Sequence, residues 1–376
     1  MSLPDLRPRW TSPSRKPTST APNTYFICLS YQDTPIAWDP FSEEASYAPA
    51  YVRNVVRTAS RQLDASGLTI YLTWRLDRLP SYGSDVVAIV MGDEWCRYPL
   101  YADRVLATFK CYGVHLDAGP RRPWFRYPAF NALIAGKYLR TQIHRLPGAF
   151  TRARSAARRL WRGAPPVPPV YDLPLGYGNQ AELPIRPIAN RSYDLFFAGS
   201  IQHSSLSPWS PRYYLQSPKT VSRREMVHQL HQLHTRRPDL SIRTSIASEF
   251  AWNALFYGTD SSSQMLDTDA YSEVMMNTKL CLVPRGTSLE TFRYFEALRY
   301  GCIPVVETLP SRPYYDDAPV LEIESWDDLP EVVDTAFASP DVLQRMHEAA
   351  LRWWDTRCSE RVIGQWMAQE INRLRT

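Results

Sequence analysis

Apolar runs of strand length alternate with helix-spaced stretches twice along the chain, and a proline-rich break separates the two series. In the first series, "TYFICLSY" (24–31) and "LTIYLTW" (68–74) are β-branched and aromatic, while "APAYVRNVVRTASRQLDASG" (48–67) has helical spacing and closes on a glycine. Two further strands are predicted in "DVVAIVMGDEW" (85–95) and "RVLATFKCYG" (104–113), with a helical turn over 95–102 between them. Continuous apolar strands separated by helices are what a parallel sheet covered on both faces requires. From about 163 to 192 the chain is rich in proline and lacks periodicity, so neither a helix nor a central strand persists there.

The alternation resumes with "YDLFFAGS" (193–200), a helix near 222–236, a strand at 240–246, a helix at 270–277 and the strand "KLCLV" (279–283). "CIPVV" (302–306), "PVLEI" (319–323) and helices at about 327–337, 340–356 and 359–374 complete it. The fold class read from this pattern is α/β, with two Rossmann-like domains built on parallel sheets. The expected division is a flexible arm over 1–22, a first domain over 23–175, a linker over 176–192, a second domain over 193–340, and closing helices over 341–376 that cross back to the first domain.

Composition changes this picture in three places. No apolar stretch approaches the roughly 18 residues that span a bilayer, the best being "VVAIVM" (86–91). Six cysteines without a C-x-x-C pair argue for buried thiols in a reducing compartment, so a cytoplasmic location is expected. The net charge of +5 is concentrated, because residues 137–163 hold eight Lys/Arg and no acid, which leaves the rest of the chain at 5 − 8 = −3. Such a segment is either a solvated helix face or a docking surface for an anionic membrane or an anionic acceptor. Nucleic acid would also be attracted, but no recognition motif accompanies the patch, and none is expected as a partner.

The chemistry concentrates in "PRGTSLETFRYFEALRYGCIPVV" (284–306). Thr287 followed by Glu290 fits a capping box, so a helix is predicted from about residue 288, directly after a strand. A helix start at the carboxyl edge of a parallel sheet favours an anion. Arg285, Thr291 and Arg293 surround that junction, and the planar fork of Arg suits phosphate. Glu296, three residues beyond Arg293, either pairs with it along the helix or accepts hydrogen bonds from two ribose hydroxyls.

This stretch resembles the exostosin family, glycosyltransferase family 47, in its Pro284-Arg285-Gly286 turn, its Arg293-Tyr294-Phe295-Glu296-Ala297 helix and its Gly301-Cys302-Ile303-Pro304-Val305 strand. "YDLFFAGS" is similar to the strand that opens the same domain in that family. The resemblance spans about 193–335 and implies a GT-B glycosyltransferase, its two domains facing across a cleft. It implies that Arg285, Thr291 and Arg293 hold the diphosphate of a nucleotide-sugar, that Glu296 holds the ribose, and that Gly199 and Ser200 approach the phosphates through backbone N–H groups. A uridine diphosphate sugar is the expected donor, a glycan or glycolipid the expected acceptor, and inversion the expected outcome.

No cofactor and no essential metal are expected. "DTD" (267–269) matches the Asp-x-Asp of metal-dependent enzymes of another fold, but its place before a helix favours Asp269 as an N-cap. A catalytic base must come from the first domain. Asp93 and Glu94, directly after "VVAIVM", lead the candidates; Asp33 is second and His115 third. Trp95, Trp124 and Trp209 are candidate sugar-stacking residues. A phosphorylase would need a cofactor lysine that the motif region lacks, whereas a non-catalytic carbohydrate- or lipid-binding protein would keep the architecture without turnover.

Overall fold

The computed structural model describes residues 22–42, 47–115, 143, 146–157, 161, 167–178, 180–201, 218–247, 267–307, 309 and 312–375. Two sheets carry the fold. The first has the order β2-β1-β3-β4-β5-β6, from β1 (Thr24–Cys28), β2 (Ile36–Ala37), β3 (Thr69–Thr73), β4 (Gly83–Val90), β5 (Val105–Lys110) and β6 (Val170–Asp172). Every pair in it is parallel except β1 with β2. The second has the order β11-β10-β9-β7-β8, from β7 (Tyr193–Ser200), β8 (Ile242–Ala247), β9 (Thr278–Val283), β10 (Ile303–Glu307) and β11 (Leu321–Ile323), and is parallel throughout. The α/β class with two parallel sheets is therefore the one observed.

The first sheet is wound more simply than the sequence suggests. Helix α1 (Ala50–Ser60) precedes β3, but the segments joining β3 to β4 and β4 to β5 contain no α-helix. The helical turn expected over 95–102 is replaced by a short 3-10 turn at Ala102–Arg104. Side chains from the connections cover that face instead: Leu79 and Tyr101 pack with Tyr71, Ala88, Val90 and Val105 of the sheet. The Tyr101 hydroxyl donates to the Arg75 carbonyl at 2.9 Å, so the one polar atom brought inside is satisfied.

In the second sheet the chain runs from β7 outward to β8 through α2 (Pro218–Arg236), then returns past β7 to β9 through α3 (Thr268–Met276). The direction of winding reverses between β7 and β9, and in open α/β sheets the crevice at the carboxyl ends of such a strand pair is where ligands sit. Helix α4 (Phe292–Arg299) follows β9, and α5 (Leu329–Phe337) follows β11.

The end of the chain ties the sheets together. Helix α6 (Pro340–Trp353) passes into one π-type turn, Trp354–Cys358, closed by Ser359 N–H on the Trp354 carbonyl at 2.7 Å. This bend redirects α7 (Glu360–Arg375) onto α1. Gly364 permits the contact, since a Cβ there would fall 2.6 Å from Thr58 Cβ. Asn372 receives the Asp64 N–H at 3.0 Å, and the Tyr51 hydroxyl donates to the Cys358 carbonyl at 2.7 Å. One apolar cluster thus runs from Val52 and Val55 through Tyr177 and Trp354 to Tyr294 and Phe295. All six cysteines are buried thiols. Among the described residues, no helix is long and apolar enough to cross a membrane.

Candidate functional site

The helix after β9 begins later than its sequence predicts. Its first residue is Phe292 and its N-cap is Thr291, whose side chain makes no capping bond. Glu290 is drawn away by long-range partners. Its carboxylate is buried, accepts from the Tyr314 hydroxyl at 2.8 Å and lies 3.5 Å from Arg312 Nε, so it cannot reach back to Thr287. Burial pushes this carboxyl up, opposed by Arg312 and the Tyr314 hydroxyl. The cap on α3 also shifts: Asp267, not Asp269, accepts from Ala270 N–H, at 2.8 Å.

The delayed start of α4 leaves an irregular turn, 284–291, at the carboxyl end of β9, facing the end of β7. Arg285 lies on this turn, 6% exposed, with its N–H donated to Glu307 at 3.0 Å and its guanidinium to the Thr287 carbonyl at 3.3 Å. The same Glu307 oxygen takes the Ser222 hydroxyl at 2.9 Å, which fixes the turn to α2. Arg293 reaches across α4 to the Ala198 carbonyl and stacks over Phe197, with 5.0 Å from Cζ to the ring centroid. Gly199 is what lets it approach, because a Cβ there would meet Arg293 Nη2 at 3.0 Å and Arg223 Nη1 at 3.3 Å. Ser200 is buried, and its carbonyl accepts from Arg223 Nη1 at 2.7 Å.

Sequence reasoning missed two members of this group, Lys219 and Arg223, which stand one turn apart at the start of α2. Burial pushes Arg223 down to about 9, and the neighbouring Arg293 charge adds to the shift. Burial likewise pushes Lys219 down to about 8, with Arg223 and then Arg293 contributing repulsion, and Glu94 opposing it. Three cations therefore crowd one another in a desolvated place. Around them, the side-chain atoms Ser200 Oγ, Arg223 Nε, Arg285 Nε, Thr291 Oγ1 and Arg293 Nε are buried and have no hydrogen-bond partner among the described residues. Buried polar atoms are nearly always paired, so a cluster of orphaned donors among mutually repelling cations marks a place built for a multivalent anion.

Glu296 stands behind this surface. It is buried, its carboxylate accepts from the Tyr271 hydroxyl at 2.7 Å and from Gly178 N–H at 3.4 Å, and Gln180 donates to its carbonyl at 3.0 Å. Burial pushes its carboxyl up, while Tyr271 and then Arg293 pull it down. Of the two sequence readings of Glu296, the helical ion pair with Arg293 is not a contact. Both carboxylate oxygens already hold protein donors, so the side chain joins α4 to α3 and to Gly178.

On the opposite side, the turn after β4 separates its two acids. Gly92, Asp93 and Cys96 adopt positive φ (72°, 65° and 52°), a costly geometry for non-glycine residues. Asp93 is turned inward as a consequence: its side chain is 2% exposed and pairs with Lys110 Nζ at 3.1 Å and Arg97 Nε at 2.7 Å. A carboxylate enclosed by two cations is a structural anchor, which corrects its candidacy as a base. Glu94 is turned the other way. Its Oε1 lies 3.8 Å from the point where a Cβ on Gly286 would be, beside the Arg285 turn, and its charge is felt by Lys219 and Arg223. Asp33, by contrast, is 82% exposed and paired with Arg75 and Arg78 at 3.1 and 2.8 Å, so it faces solvent.

Arg312 crosses from the second sheet to the first. It donates to the carbonyls of Tyr112 at 2.8 Å and His115 at 3.1 Å and lies 3.9 Å from Asp172. Gly113, at φ 55°, makes room for it, since a Cβ would sit 2.6 Å from the guanidinium carbon. His115 enters only through its backbone carbonyl. Trp95 is partly exposed next to Glu94; Trp124 and Trp209 lie outside the described residues.

Gly199 gives a direct check on this geometry. In Gly199→Ala the two guanidinium ends can swing aside, so the melting temperature should stay close to wild type while affinity for a multivalent anion such as pyrophosphate should fall about tenfold, the worth of roughly one misplaced charge-assisted hydrogen bond. Isothermal calorimetry beside a thermal melt reads both.

Comparison with known proteins bears on the same residues. The Exostosin GT47 domain matches residues 177–314. Exostosin-1 of Drosophila melanogaster is 31% identical over 119 residues, 31% of this chain and 13% of that protein. The Exostosin-1 homolog of Caenorhabditis elegans is 36% identical over 86 residues, 22% of this chain and 21% of that protein. The chain therefore matches only a minor part of the length of either relative. An alpha-glucosyltransferase solved with UDP-glucose and DNA containing an abasic site aligns over 93% of this chain and 99% of its own, at 11% identity and a TM-score of 0.36. The Arg285 turn, α4, β7 and the cations at the start of α2 all fall inside the matched region, so the part of this chain that is similar to the Exostosin GT47 domain is the part that builds the site.

Proposed function

We propose that the chain is a glycosyltransferase that takes a sugar from a nucleoside diphosphate sugar, uridine diphosphate being the first to test, and passes it to a glycan or lipid-linked hydroxyl. The observation that carries this reading is the convergence of Lys219, Arg223, Arg285 and Arg293 with the orphaned hydroxyls of Ser200 and Thr291 at the reversal between β7 and β9. A diphosphate would relieve the mutual repulsion of these cations and give acceptors to the orphaned atoms of Ser200, Arg223, Arg285, Thr291 and Arg293. In the transfer, the acceptor oxygen attacks the anomeric carbon from the side opposite the diphosphate, Glu94 takes the hydroxyl proton, and the bond from that carbon to the phosphate oxygen breaks. Charge developing on the leaving diphosphate is met by fixed cations, which supplies transition-state stabilisation without a metal ion. The sugar is delivered with inversion.

The test is nucleotide release from a panel of nucleoside diphosphate sugars with EDTA present, followed by product analysis on glycan and glycolipid acceptors. Turnover with one donor, undiminished by EDTA, is expected. Binding of the nucleotide without turnover on any acceptor would favour a non-catalytic carbohydrate- or lipid-binding protein. Turnover abolished by EDTA and restored by a divalent ion would overturn the metal-independent step.

A further inference from the structure

The basic segment carries a second feature that its charge count does not reveal. Residues 146–157 are helical, as are Ile143 before them and Trp161 after them. One face rests on the first domain. Gly148 is buried against Tyr98, where a Cβ would fall 2.7 Å from Tyr98 Cβ, and the Ser155 hydroxyl donates to Asp103 at 2.6 Å. Positions 148, 151 and 155 make this inner stripe. Leu146 and Phe150, four residues apart, lie on the side of the helix turned away from that stripe, and Phe150 is 71% exposed; Ile143 and Trp161 are exposed as well, Trp161 at 89%. Arg154 is exposed one turn beyond Phe150, and Arg152, also exposed, lies on the flank toward Tyr98, within a segment that holds eight Lys/Arg and no acid.

We infer that this helix is an interfacial anchor which seats the protein on an anionic lipid bilayer, Phe150 and Trp161 entering the headgroup boundary and the arginines pairing with lipid phosphates. An apolar stripe on the outside is unfavourable in water, and its flanking cations would repel a second copy of the same surface. A negatively charged bilayer answers both, since it accepts aromatic side chains at the interface and draws each nearby Lys/Arg. The helix axis would then lie in the membrane plane, with Gly148 and Ser155 holding the first domain above it. A glycosyltransferase so placed has its acceptor-side domain next to the surface that carries lipid-linked acceptors; the inference about the helix stands without that reading.

The test is sedimentation of the full chain with vesicles of phosphatidylcholine alone and of phosphatidylcholine mixed with phosphatidylserine, at low and high salt. Binding is expected only to the anionic vesicles, weakening with salt. Arg152→Ala with Arg154→Ala should lower partitioning about thirtyfold, and Phe150→Ser about tenfold, while thermal melts and nucleotide binding match wild type. Trp161→Phe should remove a blue shift of tryptophan emission that vesicles induce. Absence of binding to anionic vesicles, equal binding to neutral ones, or indifference to Phe150→Ser would each overturn the proposal. So would a dimer, seen by light scattering, that Phe150→Ser dissolves, because a second copy would then be the occupant.

Discussion

A double variant, Arg223→Ala with Arg293→Ala, binds the nucleoside diphosphate about a thousandfold more weakly than wild type in calorimetry with EDTA present. Each guanidinium would give the diphosphate at least one charge-assisted hydrogen bond worth about 1.5–3 kcal/mol, so the loss of two is about 4 kcal/mol. The nucleotide-free protein should melt within a few degrees of wild type. The variant gives up the bonds to the Ser200 and Ala198 carbonyls and the stacking on Phe197, but it also removes a desolvated cation, Arg223, and its repulsion with Arg293. A purely structural pair of arginines would do the opposite, lowering the melting temperature at constant affinity. Protons supply a second readout. Lys219 is held down to about 8 when no anion is present, and a bound diphosphate raises it, so binding near pH 8 takes up protons. The observed binding enthalpy should then vary with the ionisation enthalpy of the buffer, and lose that dependence in Lys219→Met.

How far the sequence reveals such a site differs from residue to residue. Arg285 and Arg293 are legible because a Pro-Arg-Gly turn between two apolar strands has no packing reason to carry charge, and β9 and β10 fall within a residue or two of their predicted bounds. The start of α4 was not legible. Thr287 and Glu290 have capping-box spacing, and only the long-range claim of Arg312 and Tyr314 on Glu290 moves the helix start to Phe292. Lys219 and Arg223 have the spacing of a solvated helix face, and α2 is polar nearly throughout. What distinguishes these two is the pressure of Arg293 from another element, which no local pattern records. The first domain's missing crossover helices have the same origin, because Leu79 and Tyr101 are separate points in the sequence and one covering layer in space.

A usable signal existed for separating the two acids after β4. Lys110 ends an apolar strand run, "VLATFK", and is wholly buried; a buried ammonium requires a carboxylate partner. Asp93 is that partner, with the left-handed turn at 92–96 presenting it inward. Its neighbour is thereby directed to the other side, toward Gly286 and the cations. The adjacent pair is thereby divided: one acid fixes the turn, and the other is the residue proposed above as the base.

The consequence is a variant in which rate and affinity separate. Glu94→Gln is expected to lower kcat about a thousandfold, within the roughly 10²–10⁴ that a positioned general base contributes, with KM for the donor unchanged or reduced. The sign on binding follows from charge. Glu94 acts on Lys219 and Arg223 as a competing anion, so its neutral isostere removes a repulsion from the incoming diphosphate, and the nucleotide should bind as tightly or somewhat more tightly. Asp93→Asn behaves differently, because it leaves Lys110 buried without its counter-charge; it should lower the melting temperature and depress activity only as far as folded protein is lost. Steady-state kinetics, nucleotide calorimetry and a melt on the two variants separate these roles. A Glu94→Gln enzyme with wild-type kcat would assign the base to another residue, whereas one that has lost nucleotide affinity would make Glu94 part of the phosphate grip.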